Sequence, residues 1–294
     1  MSHWIFVRKS DVPWEPTNLS DLQCWLDASD ASTITESGGS ISLWEDKAGS
    51  NDADDAVNSS NVKITTARPT IATAAQNGLD AIAFNGSQHF DHNSARGMLR
   101  DRSCALMAVA MKYGTVNNSA SQFAWTNRSD TSATPKYRFQ LLHADSNSVA
   151  VTSRRLDADS VTEFVATSTT PPFDTDWHIH VAVLDWAADT LSYYIDGSLI
   201  GTDSYPSGGA NTSNTDHSTT ADTWTAIGAN ARQNSSVFPL SSGSRIGEMI
   251  CGAKSSGSYA TSDREKVEGY LAHKWGLKAN LPAGHPYKTS APTV

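Results

Sequence analysis

Side chains able to do chemistry are sparse in this chain. Glycoside cleavage needs two carboxyl groups about 5–9 Å apart across a cleft, and no strand-like segment carries a run of acids on one face. Glu248 in RIGEMI and Glu163 in VTEFV each stand alone and read as solvent-facing strand acids, not as catalysts. Neither a G-x-S-x-G elbow nor an H-E-x-x-H pair occurs. His178 and His180 share a strand face at i and i+2, a spacing open to metal, yet no third ligand is evident. Asp176, Asp185 and Asp189 lie near them in sequence and complete a site only if the chain folds them back. Asp27, Asp30 and Asp46, in WLDASD and WEDKAGSND, are candidate oxygen ligands for a structural calcium ion. The alternative for them is turn and cap chemistry, since Asp readily bonds nearby backbone. Catalytic residues are therefore expected to be absent.

The remaining chemistry is recognition. Nine tryptophans are many for 294 residues. Trp125, Trp177, Trp186 and Trp224 are the candidates for stacking on sugar faces, if they lie exposed on a sheet or loop rim. Trp4, Ile5, Phe6 and Trp14 form an apolar arm that is costly to leave in water, and they are the candidates for burial on a partner. With a net charge of −9 and no basic tract, nucleic acid is not an expected partner. No run of 18 apolar residues exists to span a membrane, and the first residues lack the apolar core of a signal peptide. Cys24, Cys104 and Cys251 are far apart in apolar settings, which predicts buried thiols; one disulfide with one thiol left over is the alternative.

Strands must position these groups. Leu22–Asp27 and Ile41–Asp46 alternate, AIAF (81–84) runs into an Asn85-Gly86 turn, and CALMAVAMK (104–112) is strongly apolar. Short strands follow at 121–125, 137–142, 148–153, 161–167, 178–186, 223–231 and 245–251. Asp196-Gly197, between two apolar runs, predicts a hairpin with a type I′ turn. Residues 48–78 and 205–222 read as polar loops. One helix is predicted, over 263–275, with Ser262 and Glu265 spaced as a capping box, an apolar stripe of Val267, Tyr270, Leu271 and Trp275, and Gly276 as its stop. With about twelve strands and no βαβ alternation, the expectation is an antiparallel sandwich.

Four blocks resemble the laminin-G-like, or concanavalin-A-like, lectin/glucanase domains of bacteria and phages. They are CWLDASDASTI…ISLWEDKAGS, AIAFNGSQHF, YYIDGSLIGTD and IGEMICGAKSSGSYATSDREKVEGYLAHKWGL…LPAGHPYK. The resemblance implies an all-β, two-sheet antiparallel jelly roll over residues 19–288, with the short C-terminal helix packed outside. Residues 1–18 then form an N-terminal arm and 289–294 a flexible tail. Some members of the family carry a calcium site; glucanase relatives carry an E-x-D-x-x-E strand that this chain lacks. Such domains serve in adhesins, carbohydrate-binding modules and phage particles. Without an export signal, the expectation is a non-enzymatic structural or adhesion component of a virion: capsid decoration, tail or fibre. It would be assembled in the host cytoplasm and bound to other virion proteins or to itself as a homo-oligomer. The alternative is a lectin-like domain of a bacterial protein, outside the cell or on its surface, that binds surface glycans; a glycoside-active enzyme is the less favoured third.

Overall fold

The computed structural model describes residues 12–49, 51–55, 65–92, 95, 97–116, 121–128, 137–144, 148–156, 159, 162–167, 174–206, 225–232 and 235–294. In chain order the strands are β1 Leu22–Asp27, β2 Ile34–Ser37, β3 Ser40–Trp44, β4 Ala53–Asp55, β5 Thr70–Gln76, β6 Leu79–Ala83, β7 Phe90–Asp91, β8 Cys104–Lys112, β9 Gln122–Arg128 and β10 Tyr137–Ala144. They continue with β11 Ser148–Ser153, β12 Thr162–Thr167, β13 His178–Asp185, β14 Thr190–Ile195, β15 Ser198–Ser204, β16 Thr225–Ile227, β17 Asn230–Arg232, β18 Ser235–Val237 and β19 Arg245–Lys254. Among the described residues one α-helix, α1 Thr261–Lys274, follows. It is too short to cross a membrane.

Two antiparallel sheets form the sandwich. The first runs β15-β14-β13-β8-β19-β6-β5, with β1 also on β19; the second runs β12-β11-β10-β9-β16-β7-β4-β3-β2. Because side chains alternate across a strand, β8 shows how the layers stack. Ala105, Met107, Val109 and Met111 face the core between the sheets, where they meet Trp125, Phe139 and Trp186. Cys104, Leu106, Ala108 and Ala110 face outward, yet they too are buried, beneath Val267, Leu271 and Trp275. A strand covered on both faces needs a continuous apolar run, and β8 has one. Helix α1 thus makes a third layer over the first sheet.

The helix docks because its stripe meets a smooth sheet surface. Register slips between Ile246 and Glu248 on β19, so Ile246 points inward while Glu248 points at the helix. Gly247 lies at the slip, and a Cβ there would come within 2.5 Å of the Trp275 ring. Ala260 caps the helix instead of Ser262: the Ala260 N–H donates to Asp263 Oδ2 at 3.2 Å, the backbone-directed half of a capping box. Gly276, at φ +70°, stops it as expected, and the Leu277 N–H returns to the Ala272 carbonyl in a Schellman turn.

Three sequence expectations change. The stretch 48–78, read as loop, contains β4 and β5; TIATAAQ has no apolar alternation, which hid β5. Its hairpin to β6 turns at Asn77-Gly78, both at positive φ, whereas Asn85-Gly86 lies where the chain crosses between sheets. The strand expected over 223–231 is two, β16 and β17.

The arm and the tail meet. Pro13 bridges to Thr293, the Trp14 N–H donates to the Pro292 carbonyl, and the Val294 N–H donates to the Val12 carbonyl. Trp14 is buried, edge-to-face against Tyr270 of α1 at 5.8 Å.

Candidate functional site

A cleft of about 640 Å³ opens at the rim of the first sheet, where β13 begins. That is a usual size for a small-ligand site. Three pieces of chain build its wall: the approach to β13 (Asp174, Asp176, Trp177, His178), the β14–β15 turn (Ile195, Asp196, Ser198) and the segment after α1 (Gly276, Leu277, Asn280). Gln76 of β5 closes it. The turn is type I′, with φ of +49° at Asp196 and +77° at Gly197. Besides making the turn, Asp196 accepts the Ile179 N–H through Oδ1 at 2.9 Å and His178 Nδ1–H through Oδ2 at 2.6 Å.

His178 is held from both sides, since Nε2–H donates to Asp174 Oδ1 at 2.9 Å. Two carboxylate acceptors require both ring nitrogens to carry protons, so the group is an imidazolium. Burial alone would lower its pKa, but Asp196 and then Asp174 outweigh burial and raise it. Asp174 resists its own desolvation in the same way: the His178 hydrogen bond and charge leave its pKa lowered. With neither imidazole nitrogen free to accept a proton, His178 has no lone pair with which to activate Ser198. Asp174, held ionised, is a poor general acid.

Other groups in the cleft are available. Among the described residues, the Asp176 carboxylate has no partner. Gln76 Nε2 donates to the Trp275 carbonyl at 3.0 Å and Asn280 Nδ2 to the Trp177 carbonyl at 3.4 Å, which leaves both amide oxygens as acceptors. Trp177 is only 7% exposed, one ring face stacked on Trp275 at 5.5 Å and 11°. Its indole N–H has no hydrogen-bond partner among the described residues and is not sealed from solvent. Several donors and acceptors around a half-apolar wall suit a polyhydroxylated ligand.

Most residues singled out from the sequence lie elsewhere. Trp125 and Trp186 are fully buried between the sheets, packed on Phe139 and Tyr205, so neither offers a face to a sugar. Of the described three, Trp177 alone lines the cleft; Trp224 lies outside the described residues. So do Trp4, Ile5 and Phe6 of the arm, while Trp14 packs on this chain's own helix. His180, one alternation deeper than His178, accepts or donates at Tyr193 Oη at 2.7 Å; burial first, then the His178 charge, lower its pKa to about 3. The pair is no shared metal site. Asp176 joins His178 at the cleft, but Asp185 and Asp189 sit at the opposite end of β13, on the Ala188 N–H and on Arg155.

Asp27, Asp30 and Asp46 are already engaged. Lys47 Nζ lies 3.2 Å from Asp27 and 2.8 Å from Asp30, and Lys274 Nζ lies 2.8 Å from Asp27. Asp46 accepts the N–H groups of Trp25, Ala48 and Asn51. As arranged, the three carboxylates face ammonium and N–H donors. Among the described residues no group of three or more His, Cys, Asp or Glu side chains converges as metal ligands. All three cysteines are buried free thiols, with Cys24 opposite Cys251 on β1 and β19.

Glu248 overturns its expected exposure. It is fully buried under α1, accepting from Trp25 Nε1 (2.6 Å), Tyr270 Oη (2.9 Å) and Trp275 Nε1 (2.9 Å), with Lys274 Nζ at 2.8 Å. The slip at Gly247 turned it under the helix. Glu163 lies in β12 opposite Thr152.

Comparison with known proteins bears on the fold. No model of a protein family matches the chain, and no curated protein matches it in sequence. Solved structures do resemble it. The sialidase of Trypanosoma rangeli, as its covalent 2,3-difluorosialic acid intermediate, aligns with a TM-score of 0.54 at 12% identity, over 87% of this chain and 33% of that one. The binding domain of Paraclostridial Mosquitocidal Protein 1 aligns with a TM-score of 0.54 at 10% identity, over 85% of this chain and 52% of that one. The CBM40 of the Ruminococcus gnavus IT-sialidase, bound to α2,6-sialyllactose, gives 0.47 at 13% identity, over 62% of this chain and 93% of that one. This chain therefore spans a third of the trypanosomal sialidase and about half of the mosquitocidal binding domain. The fold defines the class: an all-β sandwich of two antiparallel sheets with, among the described residues, one short α-helix packed outside.

Proposed function

We propose that this protein is a non-catalytic glycan-binding module whose ligand seats in the cleft at the start of β13. The observation that carries the reading is the free Trp177 indole N–H, on a side chain otherwise buried, in a cleft whose lining also holds the spare acceptors of Gln76, Asp176 and Asn280. A site shaped for hydroxyl-rich ligands leaves such groups unsatisfied until the ligand arrives. Absence of catalysis is supported by the two carboxylates that bracket His178 and by the sealed position of Glu248. A glycan array followed by calorimetry is expected to show binding without release of reducing sugar. Trp177→Phe keeps the ring on Trp275 and removes the N–H, so affinity should fall by about 0.5–1.5 kcal/mol with the fold retained. An array with no hit would overturn the proposal.

A virion home, as an adhesion component, is the second reading. Val12 and Val294 are exposed apolar side chains placed side by side where the arm of Trp4, Ile5 and Phe6 joins the domain. Co-sedimentation with phage particles from a lysate, lost on deletion of residues 1–11, is the expected result. A strictly monomeric protein that ignores purified particles would exclude it.

A further inference from the structure

The charge of the cleft narrows its ligand, given the glycan-binding reading above. Among the described residues its ionisable lining is Asp174, Asp176, Asp196 and His178, with no lysine or arginine. One imidazolium against three carboxylates leaves the wall negative. Lys112 acts on Asp174 from outside the lining. Asp174 and Asp196 are committed to His178, so Asp176 is the carboxylate left for a ligand.

We propose that the cleft binds an amino sugar: a glycan carrying a free, protonated amine, placed on Asp176, with its hydroxyls on Trp177, Gln76 and Asn280. Two independent features meet here, the unpartnered carboxylate and the unpartnered indole N–H of a side chain more than nine-tenths buried. An ammonium supplies the donors that Asp176 lacks, and charge-assisted hydrogen bonds are the stronger kind. A hydroxyl beside it accepts from the indole. Sugars bearing a carboxylate meet like charge, and the one cation in the described lining, His178, already gives both of its N–H groups to Asp174 and Asp196, which disfavours them. The cleft thus differs in kind from an anion-binding sugar site, whatever the likeness of the fold.

Short defined oligosaccharides separate the cases. Calorimetry on the full chain would compare a glucosamine trimer, an N-acetylglucosamine trimer and sialyllactose. The glucosamine trimer is expected to bind most tightly, and Asp176→Asn to weaken it about tenfold or more, the effect of losing one charged hydrogen bond. Glu36→Gln, an exposed acid on β2 of the other sheet, controls for attraction to the protein's overall charge of −9 and should leave affinity unchanged. Equal losses in the two variants would mean non-specific attraction and overturn the inference. Preference for the N-acetylated or sialylated ligand, blunted by Trp177→Phe but not by Asp176→Asn, would overturn the inference while leaving the glycan-binding reading intact. Failure of all three ligands, joined to an array with no hit, would remove both.

Discussion

Replacing Trp275 with alanine is expected to destabilise the protein by about 3–5 kcal/mol, the usual cost of truncating a buried large aromatic. Three losses add up at this one residue. The indole lies flat on Trp177 and against the Gly247 backbone, so truncation opens a void between helix and sheet. Its N–H bonds Glu248, and a buried carboxylate that loses a donor keeps its desolvation cost. Its backbone is also the C-cap that turns the chain into the Schellman motif. Urea denaturation should show a lower midpoint at an unchanged slope. Trp275→Phe, which keeps most of the volume but not the N–H, should fall between. An unchanged midpoint for Trp275→Ala would mean that α1 is not seated on β19 and β8 at all. Because Trp177 stacks on the same ring, the alanine variant should also weaken any ligand held in the cleft.

How much of this was legible in the sequence varies with the range of the interaction. β8, β11 and the β14–β15 hairpin were readable because they depend on local patterns: a continuous apolar run, alternation, and a two-residue Asp-Gly turn. The helix stop at Gly276 was local too. Side-chain destinations were not. Trp125, Trp177 and Trp186 look alike in the sequence, yet two fill the core and one lines a cleft, depending on which side of the first sheet each is delivered to. Glu248 read as exposed because strand alternation cannot foresee a slip at Gly247 or a helix arriving over the face. Its partner Trp25 is 223 residues away in the chain.

The cleft escaped for a related reason. Asp196 carries a turn signature that fully explains it locally, which conceals its second task of holding His178. Asp174 carries no pattern beyond its place four residues before His178. A spacing rule did point to His178 and His180, but it paired two histidines that the fold assigns to different surroundings: one charged at a rim, one neutral beside Tyr193 in the core. Residue type predicted chemistry here only where depth along the strand was also known.

Replacing Lys274 with methionine is the second large effect expected, about 3–5 kcal/mol at pH 7, because it strands buried carboxylates without their cation. Lys274 Nζ lies 2.8 Å from both Glu248 and Asp27, which are 0% and 5% exposed at their side chains. The buried ion pair is not in itself evidence of net stabilisation, since both partners were desolvated to make it; breaking it is what costs. Asp27 retains Lys47 and Ser29, so Glu248 bears most of the loss. The two carboxylates titrate in opposite senses. Burial, and then the Asp27 charge, raise the Glu248 pKa above 4.5, with Lys274 holding the rise in check. The folded state therefore keeps that proton to higher pH than the unfolded state does, and stability falls as pH rises through the window above 4.5. Asp27 is pushed up by burial but pulled further down by Lys274, to below 3.8, so its contribution is present at neutral pH and lost as pH falls through that lower range. Removing Lys274 widens the Glu248 window and shrinks the Asp27 contribution, and both penalties vanish once the carboxylates are protonated. The difference between wild type and Lys274→Met should thus be largest near pH 7 and narrow on acidification, read by urea midpoints across that range. Adding Glu248→Gln to the variant should recover part of the loss, a coupling of about 1–3 kcal/mol. A pH-independent difference, with no recovery in the double variant, would show that Lys274 acts through its packing against Tyr270 and Trp275 and not through its charge.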